Sequence, residues 1–331
     1  MNTTTNESRQ TPLLILVVPC YNEEEIIAKT ASVMADKLRR LITDNAISSK
    51  SRILFVDDGS RDNTIHILYD LCESDPIYSV VKLAGNVGHQ NAILAGMMTA
   101  KDTADIVITI DADLQQDIEA LDAFISKYKE GCEIVYGVRN DRNSDSGFKR
   151  STASLYYKLM HAMGSKVIPN HADYRLVSSK ALGALAGYSE VNLFLRGLIP
   201  SMGFQSDIVY FDVKEREAGT SKYTLRKMLN LAADGITSFS TRPLHMIGAA
   251  GGIVVLFGII MCIVTLIDWI RGRNVPGYTT LLTVTLITAG AILLSLGVIG
   301  EYIAKIYMET KHRPHYIIDS VVWQEPDNKG N

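Results

Sequence analysis

Apolar positions follow two different rhythms along this chain. In the first half, short apolar runs alternate with stretches of helical period. Leu13–Val18 is followed by the helix-like Glu23–Leu41, Arg52–Val56 by Thr64–Glu73, and Tyr78–Leu83 by Gln90–Thr99, with a fourth run at Ile106–Ile110. Strands that are apolar on both faces are those covered by helices on both sides, so the alternation predicts an α/β domain with a mostly parallel sheet. Further strands are expected at Glu133–Val138 and Asp207–Val213.

The second rhythm belongs to lipid. No Asp, Glu, Lys or Arg occurs from Pro243 to Ile267 or from Asn274 to Gly300. A helix of about 20 residues crosses a hydrocarbon core of roughly 30 Å, so each run predicts a transmembrane helix. Just before them, Leu225, Met228, Leu229, Ala232, Ile236 and Phe239 recur at a 3–4 spacing, with Arg226, Asn230, Thr237 and Thr241 on the opposite face. That pattern fits an amphipathic helix in the membrane interface, or one packed on the soluble domain. Phe148–Met163 shows a weaker stripe open to the same two readings.

Basic residues flank the apolar runs (Lys214, Arg216, Lys222, Arg226, Lys227 and Arg242 before, Lys305, Lys311 and Arg313 after), while the linker holds only Arg271 and Arg273. The positive-inside tendency puts both flanks in the cytoplasm and the linker outside. The expected organisation is a flexible N-terminus (1–12), a large α/β domain (13–222), an interface helix (223–242), a first transmembrane helix (243–270), an external loop (271–277), a second transmembrane helix (278–300) and a cytoplasmic tail (301–331).

Composition narrows the function classes. Lys and Arg number 33 against 36 Asp and Glu, a net charge of −3, which argues against a nucleic-acid binder. Cys20, Cys72, Cys132 and Cys262 are far apart with no CxxC pair, which suits a reducing compartment rather than a disulfide or zinc framework. The polar start MNTTTNESRQTP lacks the apolar core of a signal peptide, so the large domain is expected to stay in the cytoplasm.

Ligands of an open α/β sheet bind at the carboxyl ends of its strands. Three early strands end in polar clusters: Pro19-Cys20-Tyr21-Asn22-Glu23, Asp57-Asp58-Gly59-Ser60, and Asp111-Ala112-Asp113. Neither GxGxxG nor GxxxxGK[ST] is present, so no glycine loop offers to cradle phosphates. An acidic site accepts a diphosphate only through a divalent cation, and Asp111 and Asp113 are hard oxygen ligands suited to Mg²⁺ or Mn²⁺. Each cluster also has a plain reading. Asp57 to Thr64 fits a turn with a helix cap, and a lone DxD fits surface carboxylates. Their shared position at the ends of one sheet favours the functional reading.

The succession Val18-Pro19-Cys20-Tyr21-Asn22-Glu23-Glu24, Val56-Asp57-Asp58-Gly59-Ser60, Gly85 to Gly96 (GNVGHQNAILAG) and Asp111-Ala112-Asp113-Leu114-Gln115 resembles a family 2 glycosyltransferase of the GT-A fold. Ala172-Asp173-Tyr174-Arg175-Leu176 and Glu215 to Tyr223 (EREAGTSKY), followed by two spans, resemble the polyprenyl-phosphate glycosyltransferases, which include dolichyl-phosphate mannose synthases and bactoprenol glucosyltransferases.

The resemblance implies an inverting transfer of one sugar from a nucleotide sugar, UDP-glucose or UDP-N-acetylglucosamine, to undecaprenyl phosphate at the cytoplasmic membrane face. It implies donor contacts from Pro19, Tyr21, Asn22, Glu23, Asp57, Asp58, Gly88, Asn91, Asp111, Ala112 and Asp113, with Gln115 joining Asp111 and Asp113 on the metal. Arg139, Arg150, Arg216, Ser221 and Lys222 match positions that handle donor and acceptor phosphates; a cationic cluster near a membrane suits a lipid phosphate independently of any family. Asp173 takes a catalytic-base or orienting role in this likeness, although a carboxylate repels an ionised phosphate, and pairing with Arg175 is the alternative. His89 is expected at a helix N-terminus beside the donor. Expected partners are a homo-oligomeric copy, a separate flippase and a downstream glycosyltransferase. Two other readings compete: a processive polysaccharide synthase, against which the missing QxxRW motif speaks, and a non-catalytic membrane scaffold or lipid-binding protein, against which the intact Asp111 and Asp113 speak.

Overall fold

A computed structural model of the chain describes residues 9–140, 171–188, 190, 194–213, 242–271 and 277–323. The interface helix expected over 224–241, the stripe at 148–163, and Arg150, Arg216, Ser221 and Lys222 lie outside them.

The early pattern folds as read. β1 (Leu14–Cys20), α1 (Ile27–Thr43), β2 (Arg52–Asp57), α2 (Thr64–Ser74), β3 (Tyr78–Leu83), α3 (His89–Ala100) and β4 (Ile106–Thr109) alternate. Then come α4 (Leu121–Lys129), β5 (Ile134–Arg139), β6 (His171–Ser178), α5 (Ser179–Leu185), α6 (Leu195–Ser201) and β7 (Ser206–Phe211). Two long helices follow, α7 (Arg242–Ile270) and α8 (Tyr278–Thr310), and β8 (Ile318–Val322) closes the series.

Among the described residues the strands form one sheet in the order β7-β5-β6-β4-β1-β2-β3-β8. β1 pairs in parallel with β2 and β4, β2 with β3, and β5 with β7. β6 runs antiparallel between β4 and β5, and β8 runs antiparallel to β3. The period of two along β1 sends Leu14, Leu16 and Val18 into one core with Met34, Leu38 and Phe124, while Ile15 and Val17 join Met97 and Leu198 in the other. Helix α3 lies very close to the sheet. A Cβ on Gly96 would stand 2.4 Å from Val17 Cγ1 and 2.8 Å from Val56 Cγ2, so only glycine fits.

Two features differ from the pattern. The stretch from Asn140 to Asn192 reads as poorly patterned, yet it contains β6, fully buried along its length. Asp173 and Arg175 interrupt its apolar run, and they pair with each other inside the core. The segment expected as a tail after residue 300 is first the end of α8 and then β8, whose residues lie against β3 through Val80–Val322, Val81–Val321 and Lys82–Ser320. Arg52 stacks over Trp323, 5.1 Å from its ring centre, and Tyr69 Oη lies 3.0 Å from Ser320 Oγ.

The chain divides into two compact units, one containing the sheet together with residues from Arg313 onward, the other containing α7 and α8. Among the described residues, Ile287–Thr310 of α8 is long and apolar enough to cross a membrane. The expectation of two such stretches is therefore met by one at this criterion. Large apolar side chains nonetheless stand exposed on both helices, among them Ile253, Leu256 and Phe257 on α7 and Leu281, Ile287 and Leu293 on α8.

Candidate active site

The loops leaving β1, β2 and β3 are laced into one wall. Ser60 Oγ accepts from the Asn22 amide (3.0 Å), and Asn22 Oδ1 accepts from the Arg61 amide (2.8 Å). The Glu23 amide donates to Thr64 Oγ1, and Glu24 Oε2 accepts from the Asn63 amide. Gly59, at φ +67°, meets the loop after β3 so closely that a Cβ would lie 2.7 Å from the Gly85 carbonyl carbon. Asp58 ties the same loop from the side: its two carboxylate oxygens accept from the Val87 (2.7 Å) and Gly88 (3.0 Å) amides. Asp57 accepts from the Ser60 amide and is wholly buried. Burial pushes both carboxyls up, and amide hydrogen bonds only partly offset it.

That loop delivers His89 to the first position of α3 and Asn91 to its first turn. Asn91 Nδ2 donates to the Val87 carbonyl, while its Oδ1 is buried with no partner. A stranded acceptor of this kind beside a strand-end site suits a donor group on a ligand.

β4 and β6 bring the acidic residues together. Thr109 pairs with Arg175 in antiparallel register, so continuing two residues along each chain sets Asp111 beside Asp173. His89 Nε2 stands between them, 3.4 Å from Asp111 Oδ1 and 3.7 Å from Asp173 Oδ2. Gln116, nearly buried, grips Asp111 at two points: its Nε2 donates to Asp111 Oδ2 (2.6 Å) and its Oε1 accepts from the Asp111 amide (3.1 Å). Burial pushes the Asp111 carboxyl up, His89 draws it down, and the neighbouring charges of Asp173 and Asp113 push it up again. Such a carboxylate is short of positive charge.

Asp173 has the opposite surroundings. It is 5% exposed, and Arg196 of α6 grips it with two hydrogen bonds, Nε to Oδ1 (3.1 Å) and Nη2 to Oδ2 (2.7 Å). Arg175, fully buried, donates to the same carboxylate from its own strand. Burial alone would raise the Asp173 carboxyl, but Arg196 and Arg175 outweigh it and hold the group far below the usual carboxylate range. At 0% exposure Arg175 needs a counter-ion, and Asp173 supplies it. Its Nε and Nη1, and both ring nitrogens of His171 on the same strand face, are buried without partners. Burial and the two arginines push His171 down to about 2, so its ring is neutral.

The structure thus gathers Asn22, Glu23, Asp57, Asp58, Gly88, Asn91, Asp111, Asp113 and Asp173 at one end of the sheet. Tyr21 is exposed at the tip of β1, whereas Pro19 is buried inside that strand and Ala112 is buried with its carbonyl accepting from Thr30 Oγ1 (2.7 Å). Arg139 is exposed at the end of β5. Gln115 donates its amide to Asp113 Oδ1, and it is the adjacent Gln116 whose side chain reaches Asp111.

Among the described residues no cluster of three or more His, Cys, Asp or Glu side chains can hold a metal alone. Asp111 and Asp113 fit a cation that takes its other ligands from substrate and water. Sequence reasoning missed Arg196 and Gln116. An arginine inside the apolar run Leu193-Phe194-Leu195-Arg196-Gly197-Leu198-Ile199 was a usable signal, since a charge there requires a partner.

Comparison with known proteins agrees with this layout. Residues 15–185 match the family model for glycosyl transferase family 2, and residues 242–306 match the GtrB C-terminal hairpin. The chain is 45% identical to the uncharacterized glycosyltransferase YkoT of Bacillus subtilis, over 95% of this chain and 93% of the relative. It is 39% identical to the bactoprenol glucosyl transferase of Shigella phage SfV, over 92% and 97%. A prophage bactoprenol glucosyl transferase homolog of Escherichia coli K12 is 38% identical, over 92% and 98%.

Proposed function

The chain belongs to glycosyl transferase family 2 and is a glycosyltransferase, and we propose that it moves one sugar from a nucleotide-sugar donor to a polyprenyl phosphate at the cytoplasmic face of a membrane. The observation that carries this reading is the division of charge at the strand ends. Asp111 and Asp113 form an acidic edge, and 3.7 Å from the same His89 ring the single carboxylate of Asp173 is flanked by two arginines. One edge suits a cation-bridged diphosphate, the other a phosphate.

UDP-glucose or UDP-N-acetylglucosamine is the proposed donor, with the laced loops of Asn22, Asp57, Asp58 and Gly88 holding its nucleoside. Asp111 and Asp113, with Gln115, would hold Mg²⁺ or Mn²⁺, which neutralises charge on the departing diphosphate. A phosphate monoester has its second pKa near about 6 and is largely dianionic at neutral pH, so the acceptor needs positioning more than deprotonation. Asp173 suits that division of labour: held ionised by two guanidinium groups, it is a poor proton acceptor and a firm positioning group. A single displacement at the anomeric carbon, with inversion, follows from an acceptor oxygen that attacks directly. Arg139, Arg150, Arg216, Ser221 and Lys222 are proposed to meet the phosphates.

The names of the phage and prophage relatives support a polyprenyl acceptor and glucose as the sugar. Membrane attachment is supported by the apolar stretch Ile287–Thr310, and the number of crossings by chain connectivity. The strands β1 to β7 and the residues after 312 through β8 belong to one folded unit, and β8 is a strand of its sheet. A folded unit lies on one side of a bilayer, so a chain that crosses between its parts crosses an even number of times; given the apolar stretch of α8, this favours two spans over one. A donor screen tests the proposal: purified full-length protein with labelled UDP-sugars, polyprenyl phosphate and Mg²⁺ or Mn²⁺ is expected to give a chloroform-soluble labelled lipid with one preferred sugar. No lipid-linked product with any donor contradicts it.

A further inference from the structure

We propose that Thr30, on the core face of α1, is a positioning residue for the two carboxylates of the Asp111–Asp113 edge, its hydroxyl holding the backbone between them. The inference rests on the reading of that edge as a cation site, and it adds a residue that lies behind the loop. Thr30 is wholly buried, and its Oγ1 donates to the Ala112 carbonyl (2.7 Å). A threonine hydroxyl inside a helix commonly bonds back to the carbonyl four residues earlier. Thr43 does so to Arg39 at the end of the same helix, and Thr99 does so to Ala95 on α3. Thr30 instead donates to a loop 82 residues away in the sequence. Valine has the same shape, so packing alone does not call for a hydroxyl at this buried position.

The loop it holds is strained. Leu114 sits at φ +54°, a left-handed conformation that a bulky side chain keeps only where its surroundings over-determine it. The contacts around it do so. Thr30 fixes the Ala112 carbonyl, Asp113 Oδ1 accepts from the Gln115 amide (3.1 Å), and Gln116 grips the Asp111 carboxylate and amide. The Ala112 side chain shares a core with Ile27, Ala31 and Met34 of α1, so methyl group and carbonyl both anchor this middle residue inward. Asp111 and Asp113 on either side of it stay partly exposed. The brace has a second point. Lys37 follows Thr30 by two helical turns and shares its face of α1. It is nearly buried, and its Nζ reaches Glu119 Oε2 (2.6 Å) and Asp122, beyond the loop. Helix α1 therefore holds the chain on both sides of Gln116, and Met34 and Leu38 fix the helix itself in one core with Leu16 and Phe55 of the sheet. The spacing of the two carboxylates is thus set before a cation arrives, which lowers the ordering cost of binding it.

The test uses full-length wild type, Thr30→Val, Thr30→Ser and Thr30→Cys. Binding of trace labelled UDP is measured at increasing Mn²⁺, with the half-saturating Mn²⁺ concentration as the readout, alongside melting temperatures. Thr30→Val keeps the shape and removes the donor. It is expected to need about 10- to 100-fold more Mn²⁺, the scale on which groups that orient metal ligands change affinity. Thr30→Ser keeps the hydroxyl and gives up a buried methyl group, so it is expected to melt lower while its Mn²⁺ requirement matches the wild type. A variant that is less stable yet binds the cation normally separates positioning from stability.

An unchanged Mn²⁺ requirement in Thr30→Val overturns the proposal and leaves the cation reading of Asp111 and Asp113 intact. Equal losses in Thr30→Ser and Thr30→Val overturn it as well, because the hydroxyl would then be irrelevant. Should Thr30→Val fail to fold, Thr30→Cys decides by the same readout. Cysteine is close to serine in size but a weak donor, so Thr30→Cys is expected to need more Mn²⁺ than Thr30→Ser, and equal requirements overturn the proposal. Wild-type UDP binding that does not respond to Mn²⁺ defeats the cation reading itself, and the proposal with it.

Discussion

Asp111 and Asp173 stand on either side of the His89 imidazole, 3.4 Å and 3.7 Å from its Nε2, one at the end of β4 and the other on the antiparallel neighbour β6. The two carboxylates have opposite surroundings. Asp111 is held by an uncharged amide and has Asp173 and Asp113 as like-charged neighbours beside His89; Asp173 is matched by two arginines. On the proposed function, one residue serves as a metal ligand and the other as a positioning group.

Gln116 is the support on which Asp111 depends. Replacing it with leucine removes both the hydrogen bond to Asp111 Oδ2 and the one from the Asp111 amide. Groups that orient a metal ligand typically change metal affinity or activity by 10- to 100-fold, so Gln116→Leu is expected to lose about that much transfer activity and to shift the Mg²⁺ or Mn²⁺ requirement upward. Activity titrated against cation concentration checks this; an unchanged cation curve would show that Gln116 serves packing alone.

Asp58 is expected to act through the loop it holds. Asp58→Ala strands the Val87 and Gly88 amides, at a cost of about 1–3 kcal/mol. In a domain of this size each kcal/mol lowers Tm by about 2–4 °C. Thermal melting together with UDP binding checks the outcome. Weaker UDP binding with Tm unchanged would instead place Asp58 in direct contact with the nucleoside.

Much of this was readable from pattern alone, and the limits were physical. β1 to β4 announce themselves because both faces of each strand are covered, which leaves uninterrupted apolar runs. β6 is equally buried but hides its identity, since Asp173 and Arg175 satisfy each other inside the core and break the run that a reader looks for. β8 is short, half exposed and separated from the rest of the sheet by the two long helices, so local sequence could not announce its pairing with β3. At the site, strand-end position put Asp57, Asp58, Asp111 and Asp113 at one end of the sheet, where the structure also places them. It could not tell that Asp58 spends its oxygens on a loop, or that Gln116 rather than Gln115 reaches Asp111, because those choices depend on side-chain direction. Arg196 was missed because its partner is 23 residues away in the sequence.

The close approach of α3 to the sheet predicts a coupled pair. Gly96→Ala drives a methyl group into Val17 and Val56, and overpacking of this kind costs roughly 1–3 kcal/mol. Val17→Ala opens space on that side and is expected to recover part of the loss in the double variant, a non-additivity that chemical denaturation of the four proteins measures directly. Strict additivity would mean that α3 relaxes away from the sheet instead.

Membrane topology makes a separate prediction. Because β8 belongs to the sheet, Asp319 must share a compartment with the catalytic domain, and on the proposal of two crossings the linker between the long helices would lie across the bilayer. In intact cells a membrane-impermeant maleimide is expected to label Asn274→Cys and to leave Asp319→Cys unlabelled until lysis. Cys20, Cys72 and Cys132 are buried and add little background. Labelling of both positions, or of neither, before lysis would contradict two crossings.

The central claim is that the Asp111 edge serves transfer of sugar to a polyprenyl phosphate. Its most direct measurement compares wild-type and Asp111→Asn proteins, matched in melting temperature, for incorporation of labelled sugar from a UDP-sugar into polyprenyl phosphate. The account predicts a lipid-linked product from the wild type and at least about a 100-fold lower rate from the variant, the scale of losing a principal electrostatic group in a transfer reaction. Equal rates from the two proteins would contradict it.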